Sequence, residues 1–314
     1  MKALRIAIAV AAITAAAATA TTAGLHDKST AVLPAAAPEL PRVLPTEPDS
    51  YLGVYADGAP GSYAGLTSFM RTTGTTPNVV MYYSGWREPF QASFAKAAAK
   101  HGAVLLVQIE PNHVSLNAIA AGRYDVYLIS YASAVEAYGN SVILSFGHEM
   151  NGDWYSWGKG KTTPAAFVAA WRHIVNVFRK VGAENVTWMW TVNVTSDTIP
   201  NPEPWWPGAG YVTWVGIDGY YLEPSFRFTS LFGHTISQVK EFTSDPILIS
   251  ETGAAPAAGQ AGKIADLATG VQTYGLLGFV WFDFRGKNVN SRIDSPKAAA
   301  AFHDAAKAEK GRVR

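Results

Sequence analysis

Eight short apolar or β-branched runs recur along the chain and restrict its fold more than any other feature. They are "YLGVYA" from Tyr51, "NVVMYYSG" from Asn78, "AVLLVQIE" from Ala103, "SVILSFGHE" from Ser141, "VTWMWTVN" from Val186, "VTWVGIDGY" from Val212, "PILISETG" from Pro246 and "LLGFVWFDF" from Leu276. Most are continuous rather than alternating, as expected of strands covered on both faces in a parallel sheet. Helical segments lie between most of them. "EPFQASFAKAAAKHG" places Pro89 in its first turn and stops at Gly102. "TTPAAFVAAWRHIVNVFRKVG" offers Thr163 as N-cap, Pro164 as first helical residue and Gly182 just past the end, and "SPKAAAAFHDAAKAEK" repeats the device with Ser295 and Pro296. Eight such units close a cylinder, and no glycine-rich dinucleotide loop follows the first run. The expected fold is therefore α/β, a single (β/α)8 TIM barrel rather than an open doubly wound sheet. The fifth unit departs from the rhythm: "VTSDTIPNPEPWWPGAG", from Val194, is too rich in proline for a long helix.

The chain has 314 residues, 48% of them hydrophobic, which accommodates one barrel of about 250 residues. That domain is expected to span residues 51–314. Ahead of it, residues 1–23 carry Lys2 and Arg5, an apolar stretch from Ile6 and small residues such as Ala18-Thr19-Ala20, the order of a secretory signal peptide. The alternative reading is an uncleaved anchor. Residues 24–50 hold five prolines from Leu25 onward and no apolar periodicity, so they read as a Pro/Ala-rich linker. A secreted protein, free of the membrane once the signal is removed, is the expectation. With no cysteine it must stay folded by packing alone. The net charge of +1 comes from scattered residues, so neither nucleic acid nor an anionic membrane surface is expected as a partner, and the chain is expected to act as a monomer.

Polar residues collect where the runs end, and in a barrel of this kind the C-terminal strand ends form the active face. Gln108 and Glu110 end the third run, His148 and Glu149 the fourth, Asn193 the fifth, Asp218 and Tyr220 the sixth, Glu251 the seventh and Asp283 the eighth. A zincin requires a second histidine four residues after the first, and that place holds Gly152. No Gly-x-Ser-x-Gly elbow exists, and thiol chemistry is excluded. Neither a metal nor another cofactor is called for. What remains is carboxylate chemistry beside flat aromatic surface. Cleaving a glycosidic bond needs one carboxylic acid to protonate the leaving oxygen and one carboxylate at the anomeric carbon or activating water, and tryptophan faces stack on pyranose rings. Trp86, Trp154, Trp157, Trp205, Trp206 and Trp281 lie at or near strand ends, whereas Trp171 and Trp188 sit inside helical and strand patterns and read as core.

"GHEMNGDW" after the fourth run, "SETG" ending the seventh, "FVWFDF" in the eighth and "WWPGAGYVTWVGIDGY" leading into the sixth resemble glycoside hydrolase family 26 from Tyr51 to the C-terminus. The best-known members of that family are endo-β-1,4-mannanases. The resemblance implies a retaining double displacement, with Glu149 as acid/base, Glu251 as nucleophile and Tyr220 donating to Glu251. The candidate substrate-binding residues are His148, Trp154, Asp218, Tyr220, Trp281, Glu110 and Trp86, with His148 read as a contact to a sugar hydroxyl or an orienter of Glu149, Asp218 as a substrate contact or a member of the surrounding network, and Trp281 as the floor of the subsite of the reacting sugar. β-Mannan is the expected substrate and mixed-linkage β-1,3-1,4-glucan the alternative, because the third run ends in "QIEP" where mannan-active members are expected to present a histidine. A reading from another class is a non-catalytic carbohydrate-binding or polysaccharide-assembly barrel.

Overall fold

The computed structural model describes residues 44–286 and 290–308. The signal-peptide reading and most of the linker lie outside them. Eight strands, β1 (Tyr51–Ala56), β2 (Val79–Gly85), β3 (Val104–Glu110), β4 (Val142–Phe146), β5 (Val186–Asn193), β6 (Trp214–Tyr221), β7 (Ile247–Ala254) and β8 (Gly278–Asp283), pair in parallel and in sequence order into a closed barrel. Closure is by β1 against β8, in register from Tyr51↔Gly278 to Ala56↔Asp283. Around the barrel run α1 (Ala64–Thr73), α2 (Ala92–Lys100), α3 (Leu116–Ala120), α4 (Asp125–Tyr138), α5 (Pro164–Val181), α6 (His234–Phe242), α7 (Gln260–Tyr274) and α8 (Pro296–Ala308). Between β5 and β6 there is only a 3-10 turn, Glu203–Trp205. Proline removes donors and fixes φ there, so no longer helix propagates.

Continuous apolar runs are needed because each strand has two dry faces. Tyr51, Val79, Met81, Leu106, Ile143, Met189, Trp214, Leu248 and Val280 fill the barrel interior, while Leu52, Val80, Leu105, Leu144, Trp190, Ile217 and Phe279 pack outward against the helices. Caps set the helix ends. The Thr163 hydroxyl accepts from the Ala166 amide, and Gly182 takes a left-handed φ of 86° beyond α5. Ser295 likewise accepts from the amide of Ala298. The second helix starts later than its proline suggests. Glu88 accepts the amide of Gly85 and holds the chain in a turn, so Pro89 precedes the helix and Gln91 is its N-cap. Ahead of β1, Leu44 is buried and the Tyr51 hydroxyl donates to the Pro45 carbonyl at 2.7 Å, which ties residues 44–50 to the foot of the barrel.

Candidate active site

The loop after β4 is built around one carboxyl group. Gly147 turns the chain with a φ of 57°, and a Cβ there would lie 3.0 Å from the ring of Phe167. Glu149 follows with a φ of 54°, a conformation that costs a non-glycine residue about 1–2 kcal/mol. Its amide donates to the Thr191 carbonyl on β5, and the indole of Trp157 donates to the carbonyl of His148, so the turn is fastened on both sides. Gly152 then allows the indole of Trp154 to fold back over the loop, since a Cβ at 152 would come within 2.3 Å of that ring. As a result Trp154 Nε1 donates to Glu149 Oε2 at 2.7 Å, while Asn193 Nδ2 donates to Oε1 at 2.6 Å. Asn193 is itself held by Asn151, whose side chain bonds both its amide and its carbonyl.

Glu251 faces the same space from β7 because that strand bulges. Gly216 pairs with Leu248 and Asp218 with Glu251, so Ile249 and Ser250 together oppose the single residue Ile217. Simple alternation would send Glu251 to the helix side with Ile249; the extra residue returns it to the interior. Its Oε1 accepts from the Tyr220 hydroxyl at 2.5 Å, and its Oε2 accepts from the hydroxyl of Tyr83 on β2.

The two carboxyls are 7% and 6% exposed, and burial pushes both upward. For Glu251 the two phenols oppose the rise. Glu149 reaches about 8, driven first by burial and then by the charge of Glu251, against weaker opposition from Asn193 and Trp154. Glu149 is therefore the more strongly raised of the two, and the donors that favour the charged form of Glu251 are phenols. Glu110, at the rim of β3, rises to about 7 for the same first cause, while Asn112 donates to it at 3.2 Å.

Residues 125–301 match the sequence model of Glycosyl hydrolase family 26. The chain belongs to this family. Endoglucanase H of Acetivibrio thermocellus is 31% identical over 267 residues, covering 79% of this chain and 29% of that protein. Mannan endo-1,4-beta-mannosidase A and B of Caldalkalibacillus mannanilyticus is 31% identical over 118 residues, covering 34% of this chain and 22% of that protein. The chain therefore spans less than a third of either relative. Among solved structures, Bacillus subtilis mannanase BCman superposes with a TM-score of 0.62 at 18% identity, covering 83% of this chain and 87% of that one. A modular endo-beta-1,4-mannanase from Cellulomonas fimi gives 0.63 at 17%, covering 82% and 71%. These two share the fold.

Within this family 26 barrel, Glu149, Glu251, Trp154 and Tyr220 converge, with Glu110 at the rim. Four other expected substrate contacts are placed differently. Trp281 is fully buried on the outer face, its Nε1 donating to the Ser291 carbonyl and its ring 6.3 Å from Phe302 of α8. Strand alternation puts its neighbour Phe282 inside instead, stacked on Tyr55 at 4.6 Å and edge-on to Tyr220 and Tyr83. Trp86 lies past the end of β2, wedged among Tyr124, Tyr127 and Phe146 rather than beside the carboxyls. Asp218 is wholly buried beside Glu251 in register, accepting from Ser250 at 2.5 Å, and so belongs to the supporting network. His148 is 1% exposed, held neutral by burial, and pairs through Nε2 with the Tyr155 hydroxyl at 3.0 Å; it supports Tyr155, which stacks on Trp157 at 4.3 Å. Sequence reasoning missed Tyr83, Tyr155, Asn151 and the site role of Asn193. Period-two counting along β2 from Met81 was the available signal for Tyr83.

Proposed function

We propose that this chain is a secreted, monomeric, retaining glycoside hydrolase that cuts internal bonds of a β-linked polysaccharide. The observation that carries this reading is the unequal treatment of two buried carboxyls on the mouth of one barrel. Glu149, raised by burial and by its charged neighbour, donates its proton to the leaving glycosidic oxygen as Glu251 attacks the anomeric carbon. Forming the glycosyl ester removes the charge of Glu251, and with it one cause of the raised pKa of Glu149. The acid thereby becomes a competent base for the incoming water, which it deprotonates as the ester breaks and the configuration is restored. Trp154, half-buried over Gly152, both donates to Glu149 and offers an edge of aromatic surface to the leaving-group side.

β-Mannan is the first substrate reading, supported by the mannanase among the relatives. Mixed-linkage β-glucan is the second, supported by the 79% coverage of this chain by a relative named an endoglucanase. Backbones of both polymers contain β-1,4-linked hexopyranoses that differ at C2, so one panel separates them. Reducing-sugar release should be measured from β-mannan, glucomannan, mixed-linkage β-glucan and β-1,3-xylan with the wild type and Glu251→Ala. Turnover of one polymer that vanishes in the variant is expected. No turnover of any polymer by the folded wild type would favour the non-catalytic binding reading. N-terminal sequencing of the exported protein tests secretion, with a new terminus near residue 24 expected.

A further inference from the structure

Among the described residues, Glu251 is surrounded by carboxyls and has no cationic partner. Glu149, Asp218 and Glu110 lie close enough to feel its charge, His148 is neutral, and among the described residues no lysine or arginine forms an ion pair with it. A buried carboxylate in such a place needs donors to stay charged. It has two, both phenols, and they arrive from different strands: Tyr220 from β6 to Oε1 and Tyr83 from β2 to Oε2. Tyr83 is itself gripped, edge-on to both Tyr55 and Phe282 and 5.6 Å from the ring of His148, so its hydroxyl is aimed by packing rather than by chance rotation.

We propose that Tyr83 is a second positioning residue for the nucleophile, holding with Tyr220 both oxygens of Glu251 in place of a cation and acting most strongly when that carboxylate departs from the sugar. This rests on the hydrolase reading above. In the first step a Glu251 oxygen bonds to the anomeric carbon, the bond to the leaving oxygen breaks, and Glu149 supplies that oxygen with its proton. The resulting ester is a poor acceptor, so the phenol bonds weaken. In the second step water attacks the anomeric carbon, its proton passes to Glu149, and the electron pair of the breaking ester bond returns to Glu251. The two phenols regain a charged acceptor as that happens, so they favour the second step over the first.

Tyr83→Phe removes the hydroxyl and keeps the ring. With an aryl β-glycoside bearing a good leaving group, kcat is expected to fall about tenfold or more while kcat/KM at the pH optimum falls less, so that KM drops and a burst of aryl alcohol precedes steady state. The acid limb of kcat/KM should move up by about one pH unit, because Glu251 loses a donor to its charged form. Equal losses in kcat and kcat/KM with an unmoved acid limb would reduce Tyr83 to a packing role. 3-Fluorotyrosine at position 83 keeps ring and hydroxyl while strengthening the donor, and should move the limb the other way; this variant decides the matter if Tyr83→Phe does not fold. Carboxyl ¹³C titration of Glu251 requires no turnover and so separates this inference from the hydrolase reading. A higher pKa in Tyr83→Phe than in the wild type is expected, and an unchanged one would overturn the proposal.

Discussion

Glu149 and Glu251 are the same functional group in two electrostatic settings, and the residues that make the difference are few. Indole and amide N–H groups reach Glu149, and phenolic O–H groups reach Glu251. Activity should be lost as pH rises through the pKa of Glu149, about 8, because the acid is then ionised, and lost as pH falls through that of Glu251. Trp154→Phe removes a donor that favours ionised Glu149, so the basic limb of kcat/KM should move to higher pH; a downward move would show that the indole acts otherwise. Glu149→Ala should lower kcat on polymer by about 10²–10⁴, with a smaller effect on the first step with aryl glycosides whose leaving group needs no proton. Asp218 makes the opposite kind of contribution, to stability. Its folded pKa is raised well above 3.8, chiefly by burial and then by the neighbouring glutamates, so whatever it contributes is present in acid and lost as pH rises above the unfolded value. Asp218→Asn removes that loss, and its melting temperature should exceed that of the wild type at pH 7 and converge with it near pH 4.

At the level of elements, the site depends on three backbone devices: the left-handed turn at Gly147–Glu149, the glycine seat for Trp154, and the bulge in β7. Gly152→Ala should push the indole off Glu149, raising the basic limb as Trp154→Phe does while leaving the ring present. Trp281→Phe tests the outer placement of that residue. It should lower the melting temperature, since a buried indole N–H bond and packing on α8 are lost, and leave KM unchanged; a large rise in KM would put the ring in the cleft after all. These devices also mark where sequence reading stops. Strand count, order and most strand ends were legible because double burial writes continuous apolar runs, and the Pro-rich segment after Asn193 announced its missing helix. Whether Glu251 points inward was not legible, because one residue of register flips a side chain and a bulge leaves no compositional mark. Trp281 was misplaced for the related reason that "FVWFDF" has aromatic residues on both faces, so alternation alone does not say which ring is inside. Tyr83 was hidden in "MYYSG", where two adjacent tyrosines face opposite sides and only the second meets the nucleophile.

On the scale of the whole molecule, a closed barrel places β2, β4, β6 and β7 around one mouth, so carboxyls and donors separated by up to 168 residues in sequence meet without any loop having to carry them. The barrel is fastened at its foot by residues 44–50, where the amides of Asp49 and Ser50 donate to the carbonyls of Leu276 and Leu277 and Leu44 is buried. A fragment starting at Tyr51 should therefore be less stable than one starting at Leu44, by about 1.5–3 kcal/mol for the leucine alone, measurable in urea; equal midpoints would show that the segment adds nothing. Membership in family 26 and the different settings of Glu149 and Glu251 lead to one central proposal, that the reaction proceeds by two displacements at the same carbon. The most direct test is the anomeric form of the first product, followed by ¹H NMR within the first turnovers, before mutarotation. The β-anomer is predicted to appear first, decaying later to the equilibrium mixture. An α-anomer released first would mean a single displacement by water, and would remove Glu251 from the role of nucleophile.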